Sequence, residues 1–168
     1  LYYIYYVQIY YFFRKRHYSE ERLLSSKGRN NKNILHMIVK ITLYMDGDGH
    51  FRPDDGRMLD ELNPKEMLLY AAADCAGRTI VSLLKEHTST LKSLTITLEG
   101  TLSTPTVVAE SRYVNFNIIY AAECHTLKDQ IIISRAVNLA HDKYCGLLQM
   151  LRRIAPLTHE TSIVATGE

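Results

Sequence analysis

NPKEMLLYAAADCAGRTIVSLL, residues 63–84, is the stretch whose reading decides the architecture. Asn63 is a candidate N-cap, Pro64 stands at the first helical position, and Glu66 at the third can reach back to close a capping box. The pattern predicts a helix from Pro64 to about His87. Leu68, Ala71, Ala72, Cys75, Thr79 and Ser82/Leu83 recur at three- and four-residue spacing and form its expected inward stripe. Small residues dominate the first half of that stripe, so another backbone or a ligand can come close.

Strand patterns flank the helix. In MIVKITLYM (37–45), Ile38 and, further on, Ile41, Leu43 and Met45 are assigned to one face. DGDGHFRPDDGR (46–57) is dense in Asp, Gly and Pro and reads as a turn or hairpin. Beyond the helix, Leu94–Leu98 alternates apolar residues with Thr, and Val114, Phe116, Ile118 and Tyr120 alternate with Asn115, Asn117 and Ile119. LSTPTVV lies between them as a loop. Thr126 opens a second helix with Asp129 as its third residue, and Ile131, Ile132, Ala136, Leu139 and Ala140 are its apolar positions. Gly146 interrupts that helix directly after Cys145, and Leu147, Leu148, Met150, Leu151 and Ile154 resume a helical period until Pro156. A strand closes the chain within His159–Thr166. The order β, α, β, β, α, α, β defines an α+β class with two central helices packed on sheet.

Charge separates the chain into two parts. Residues 1–36 carry seven Lys/Arg against two Glu, while the remainder carries 13 Lys/Arg against 16 Asp/Glu. A mildly acidic domain, 37–168, has no electrostatic footprint for nucleic acid, and none is expected as a partner. Residues 1–36 begin with a Tyr-rich run, LYYIYYVQIYYFF, followed by RKRH. Thirteen residues are too few to span a bilayer, which needs about 20, and the basic residues follow the apolar run where a secretory signal would place them first. A membrane-surface anchor is the lesser reading, and a disordered or non-native segment the greater. No membrane partner is therefore expected.

The three cysteines, Cys75, Cys124 and Cys145, are too few for a disulfide-stapled secreted fold, and no CxxC pair points to structural zinc. Reduced, reactive thiols in the cytoplasm fit better. Taken alone, Cys75 sits mid-helix among alanines, where a buried inert thiol is the commoner fate. Cys145 precedes a second helix whose N-terminus would lower a thiol pKa, but a core cysteine is a fair alternative. Cys124 and His125 read as incidental loop residues. A metal site from Cys124, His125 and His141 lacks convergent spacing. His141 and Cys145 stand one helical turn apart, a spacing more often coincidental than functional.

Two segments resemble a known family. NPKEMLLYAAADCAGRTIVSLL resembles the first cysteine helix of the OsmC/Ohr proteins (osmotically inducible protein C and organic hydroperoxide resistance), and RAVNLAHDKYCGLLQMLRRIAP (135–156) resembles their second cysteine segment. The intervening strands correspond as well, so the resemblance covers about 37–166. The LNPKEM and KYC details are similar to the OsmC-like branch. The resemblance implies an OsmC-like fold of antiparallel sheets with two central helices, in an intertwined homodimer with an active site at each subunit interface. It implies that Cys75 attacks a small organic hydroperoxide and that Cys145 resolves the product as a disulfide. No bound cofactor is implied. An external dithiol, of the lipoyl type in the family, would reduce the disulfide.

The resemblance further implies an Arg, contributed by an N-terminal hairpin and held by an acidic residue, that activates the first cysteine. Glu66 is that acidic residue, and Arg57 and Arg52 are the candidates for the Arg. The better-studied branch has its Glu directly after Pro. Here Lys65 occupies that place and Glu66 follows, about 100° further around the helix. Asp74 is expected to face away from Cys75. Two functions stand at this level: a thiol-dependent peroxidase with an apolar pocket lined by residues such as Met67, Leu68 and Tyr144, or a non-catalytic dimer that binds a small apolar molecule in the same interface cavity.

Overall fold

Period-two alternation makes the two longest strands the spine of the molecule. In the computed structural model, which describes residues 36–85 and 91–167, β3 (Leu91–Leu102) and β4 (Tyr113–Cys124) pair antiparallel. Leu94, Ile96, Leu98 and Leu102 of β3 and Phe116, Ile118, Tyr120, Ala122 and Cys124 of β4 are buried on one face. The intervening Thr and Asn positions remain partly accessible. One apolar face and one polar face is what an antiparallel sheet covered on a single side requires.

β1 (Ile38–Met45) pairs antiparallel with the other edge of β3, and the short β2 (Phe51–Pro53) pairs with β1. β5 (Leu157–Ala165) pairs with β4 in parallel, giving the order β2-β1-β3-β4-β5. The pairs among β1–β4 are antiparallel, as expected, and the parallel edge strand β5 makes the one sheet mixed. A parallel neighbour needs a long crossover, and the two helices after β4 supply it. On β1 the inward residues are Val39, Ile41 and Leu43, while Ile38 is exposed. Ile38 lies out of phase with Ile41, and the register Ile41↔Leu98 fixes which set turns inward.

Three helices cover the apolar face: α1 (Pro64–Leu83), α2 (Leu127–Leu139) and α3 (Gly146–Ile154). α1 lies on β1 and β3, α2 on β4 and β5, and α3 against α1 and β4. The expected helix to His87 stops at Leu83, and 86–90 lie outside the described residues. Its buried stripe is Leu69, Ala72, Ala73, Ala76, Gly77 and Ile80, about one residue further round than expected. Ala71 is exposed and Cys75 is on the flank, half-buried. α2 is offset similarly: Ile133, Ala136 and Val137 are buried, while Ile131 is exposed. In both helices an apolar residue beside the true stripe shifted the reading, because periodicity alone does not say where the sheet stands.

Two glycines permit close approach. A Cβ at Gly77 would fall 2.5 Å from the Phe51 ring, so the missing side chain lets β2 seat its Phe on α1. At Gly100 a Cβ would collide with the ring of Tyr113, whose hydroxyl donates to the Lys65 carbonyl at 2.9 Å and ties β4 to the start of α1. Cys124 closes β4, fully buried, with its thiol directed at the Thr126 and Val164 carbonyls. The expectation that it belongs to a loop is corrected: the strand runs four residues past Tyr120, paired as far as Cys124 by β3 on one side and β5 on the other. The domain expectation for 1–36 falls almost wholly outside the described residues.

Candidate active site

Cys75 and Cys145 are brought together by helices from opposite ends of the domain's sequence. The Cys145 thiol donates to the Cys75 sulfur with 3.1 Å between the two Sγ atoms. A disulfide needs about 2.05 Å, so roughly an ångström of movement separates the dithiol from the bond. Their surroundings differ. Cys75 is half-buried on the flank of α1, one turn before Thr79, whose hydroxyl donates to the Cys75 carbonyl at 2.7 Å. Cys145 is fully buried.

Cys145 owes its position to a break in the helical ladder. α2 passes into a five-residue π-turn, Ala140–Tyr144, closed by the Cys145 N–H donating to the Ala140 carbonyl at 3.0 Å. Cys145 then takes extended backbone angles and caps α3, its carbonyl accepting from Gln149 N at 3.2 Å. Burial pushes its thiol pKa up to about 12; the amides of Leu148 and Leu147 at the start of α3 pull the other way, and Cys75 adds to the rise. The helix N-terminus was expected to lower this pKa, and desolvation outweighs it.

The N-terminus of α1 gathers the expected activating groups. Asn63 Oδ1 accepts from the backbone N–H of Lys65 at 2.9 Å and of Glu66 at 3.1 Å. Glu66 Oε2 accepts from Asn63 N at 3.0 Å and Asn63 Nδ2 at 2.8 Å, completing the capping box. Its other oxygen accepts from Arg57 Nη1 at 3.0 Å, while Asp55 takes Arg57 Nε at 2.6 Å. The hydrogen bonds that Arg57 donates to Asp55 and Glu66 hold the guanidinium pKa above its ordinary value. One residue's displacement around the helix thus costs Glu66 nothing, since its two oxygens serve cap and Arg at once. Lys65 points elsewhere, donating to the Ser111 carbonyl at 2.8 Å.

Of the two candidate arginines, Arg57 is the one that pairs with Glu66, and Arg52 pairs with Asp46 at 2.7 Å instead. Within one chain, however, Glu66 precedes Cys75 by nine residues, about 13.5 Å along α1. Asp74 turns to Arg78, 2.8 Å away, as expected of a residue facing away from the thiol. Met67, Leu68 and Tyr144 are exposed in the single chain, and Leu68 lines a groove of about 480 Å³ with Pro64, Lys65, Tyr113, Val114 and Ile154.

The sequence reading passed over one neighbourhood. Tyr120, fully buried, places its hydroxyl 3.3 Å from His141 Nδ1, and the His141 ring stacks on His159 with centroids 4.1 Å apart. Burial and the neighbouring His159 push the His141 pKa down to about 4. A tyrosine at an inward position of an otherwise apolar strand was the available signal, since a buried hydroxyl requires a partner. Among the described residues, no three His, Cys, Asp or Glu side chains are placed to hold a metal ion, and no helix is long and apolar enough to cross a membrane.

Comparison with known proteins shows the family of the chain. The model of the family described as OsmC-like protein matches residues 54–160. The chain is 30% identical over 118 residues to Protein YhfA of Escherichia coli K12, covering 70% of this chain and 85% of that one. A structure from structural genomics aligns at 26% identity and a TM-score of 0.52, over 77% of this chain and 99% of its own. The organic hydroperoxide resistance protein OsmC of Legionella pneumophila aligns at 19% identity and a TM-score of 0.43, over 74% of this chain and 96% of its own. This chain belongs to the OsmC-like family.

Proposed function

We propose that the protein is a thiol-dependent peroxidase that reduces small organic hydroperoxides through Cys75 and Cys145. The observation that carries this reading is the 3.1 Å between two free thiols, one of them half-buried. The Cys75 thiolate attacks the terminal peroxide oxygen, releasing the alcohol and leaving a sulfenic acid. Cys145 attacks that sulfur; the S–S bond forms, the S–O bond breaks, and the thiol proton leaves with the hydroxyl as water. An external dithiol, of lipoyl type by kinship, then reduces the disulfide.

The functional unit in this reading is a homodimer. Glu66, which holds Arg57, stands nine residues before Cys75, about 13.5 Å along α1, so in this reading the cation for Cys75 comes from the Arg57–Glu66 pair of a second copy. Exposed apolar residues on the helices, Leu127 at 73%, Ile131 at 72% and Met150 at 61%, offer surface for such an association.

Cumene hydroperoxide consumption with dithiothreitol is the test. Wild type consumes peroxide, and Cys75→Ser reduces the rate to the blank. Arg57→Ala slows it about tenfold or more, since a thiol without a cation is mostly protonated at neutral pH. If sites are shared, mixing Arg57→Ala with Cys75→Ser chains restores about a quarter of wild-type activity, from one working site in half the dimers. No consumption by wild type above the blank overturns the peroxidase and leaves a dimer that binds a small apolar molecule.

A further inference from the structure

We propose that the groove beside the start of α1 binds an aliphatic carboxylate, its head held by Lys65 and Arg112 and its chain by Leu68, Val114 and Ile154. The proposal goes beyond the peroxidase reading and does not rest on it, since neither thiol takes part. Leu68, Val114 and Ile154 come from α1, β4 and α3 and are all exposed, yet they line one groove of about 480 Å³. That size falls among small-molecule sites, which are mostly apolar with a few placed polar groups. Lys65, Arg112 and Tyr113 supply those polar groups here.

Lys65 is set in place from two sides. Ser111 is buried; its N–H donates to the Val108 carbonyl at 3.1 Å, and its hydroxyl accepts from Val108 N at 3.0 Å. The Ser111 carbonyl, fixed by that folded loop, accepts from Lys65 Nζ at 2.8 Å. The Tyr113 hydroxyl holds the Lys65 backbone through its carbonyl at 2.9 Å. The half-buried ammonium thus spends one N–H on Ser111 and keeps the others for a second acceptor. Among the described residues, neither Lys65 nor the exposed Arg112 pairs with a carboxylate. A fixed, partly desolvated cation without a counter-charge favours an anion beside it.

The surroundings also select the kind of anion. A phosphate is best met by free N–H groups at a helix N-terminus, and α1 has none to give. Lys65 N and Glu66 N donate to Asn63 Oδ1, Met67 N donates to the Asn63 carbonyl, and Pro64 has no N–H. Two side-chain cations remain, which suit a singly charged head. Glu66 does not oppose it, because its two oxygens are engaged by Arg57 and by Asn63. The three apolar residues then favour a chain over a short acid, since a chain removes their exposed surface from water.

Isothermal titration calorimetry of the full chain with sodium decanoate at low salt is the test. No peroxide is present, so its result and that of the cumene hydroperoxide assay are independent. Butanoate, which lacks the chain, and methyl decanoate, which lacks the charge, should each bind about tenfold or more weakly than decanoate. Lys65→Gln and Arg112→Gln should each weaken decanoate about fivefold or more, as should added salt in wild type. Val114→Asp, which puts a carboxylate in the groove, should abolish binding. No binding of decanoate by wild type at millimolar concentration overturns the proposal. Methyl decanoate binding as tightly as decanoate overturns the assigned head, and decyl phosphate binding far more tightly overturns the carboxylate. Decanoate affinity unchanged in Arg112→Gln and Val114→Asp places any site elsewhere and overturns the groove. Should Lys65→Gln not fold, those two variants, both at exposed positions, decide.

Discussion

The two cysteines stand 3.1 Å apart in unlike surroundings. Cys75 sits on a regular, doubly capped helix, half-buried on its flank, where an entering molecule can reach it. Cys145 sits at a break between a π-turn and a short helix, sealed from solvent, with its thiol pKa pushed up to about 12. The difference supports the roles proposed for the two thiols. A thiol reachable from outside suits first attack, whereas one that resists ionisation suits a reaction with a sulfur already delivered to its side.

The sharpest way to break that comparison is Cys145→Ser. If the roles are as assigned, the variant keeps one stoichiometric turnover with cumene hydroperoxide and loses steady-state turnover with a dithiol. Mass spectrometry should then find added oxygen on Cys75. Full steady-state activity in this variant would remove Cys145 from the cycle. A second comparison is chemical. In a background without Cys75 and Cys124, alkylation of Cys145 should be very slow at pH 7 and rise about tenfold per pH unit to pH 9.5 without levelling, because a thiol with pKa near 12 is almost wholly protonated there. Levelling below pH 9 would contradict its burial.

The Cys145 region should also be the acid-sensitive one. His141 has a pKa of about 4 in the folded protein against 6.5 for a free side chain, so the unfolded chain binds a proton the folded one refuses. Its contribution is intact above about pH 6.5 and is lost as pH falls towards 4, at most roughly 3 kcal/mol. Urea midpoints measured from pH 7.5 to 4.5 should fall less steeply in His141→Gln than in wild type. The smallest effect belongs to the regular helix. Asn63→Ala removes the side chain that accepts from Lys65 N and Glu66 N and donates to Glu66. It should cost about 1 kcal/mol in a thermal or urea melt. A much larger loss would show that the cap also holds Arg57 in place.

Local chemistry was legible wherever it is carried by near neighbours. The Asn63/Glu66 capping box could be read directly, because a cap involves residues three apart. The Thr126/Asp129 box was equally plain. The Arg57–Glu66 pair was half-legible: two arginines qualified, and the choice depended on Asp55 fixing Arg57 while Asp46 drew Arg52 away. Ile131 misled because an apolar residue next to a helix stripe looks like part of it, whereas the sheet contacts only one side.

What the sequence alone determined was the set of elements, their order, the caps, and, through two separated motifs, the kinship and the identity of the cysteines. Spacing of three, four or two residues is enough for such features, since they arise within single turns and strands. Only the tertiary structure decided that residues 75 and 145 meet, that one is sealed and the other half-buried, and that Tyr120 and His141 pair in the buried core. Those relations depend on which faces the parallel β4–β5 crossover turns towards α1, and no local pattern encodes a contact made across that distance in the chain.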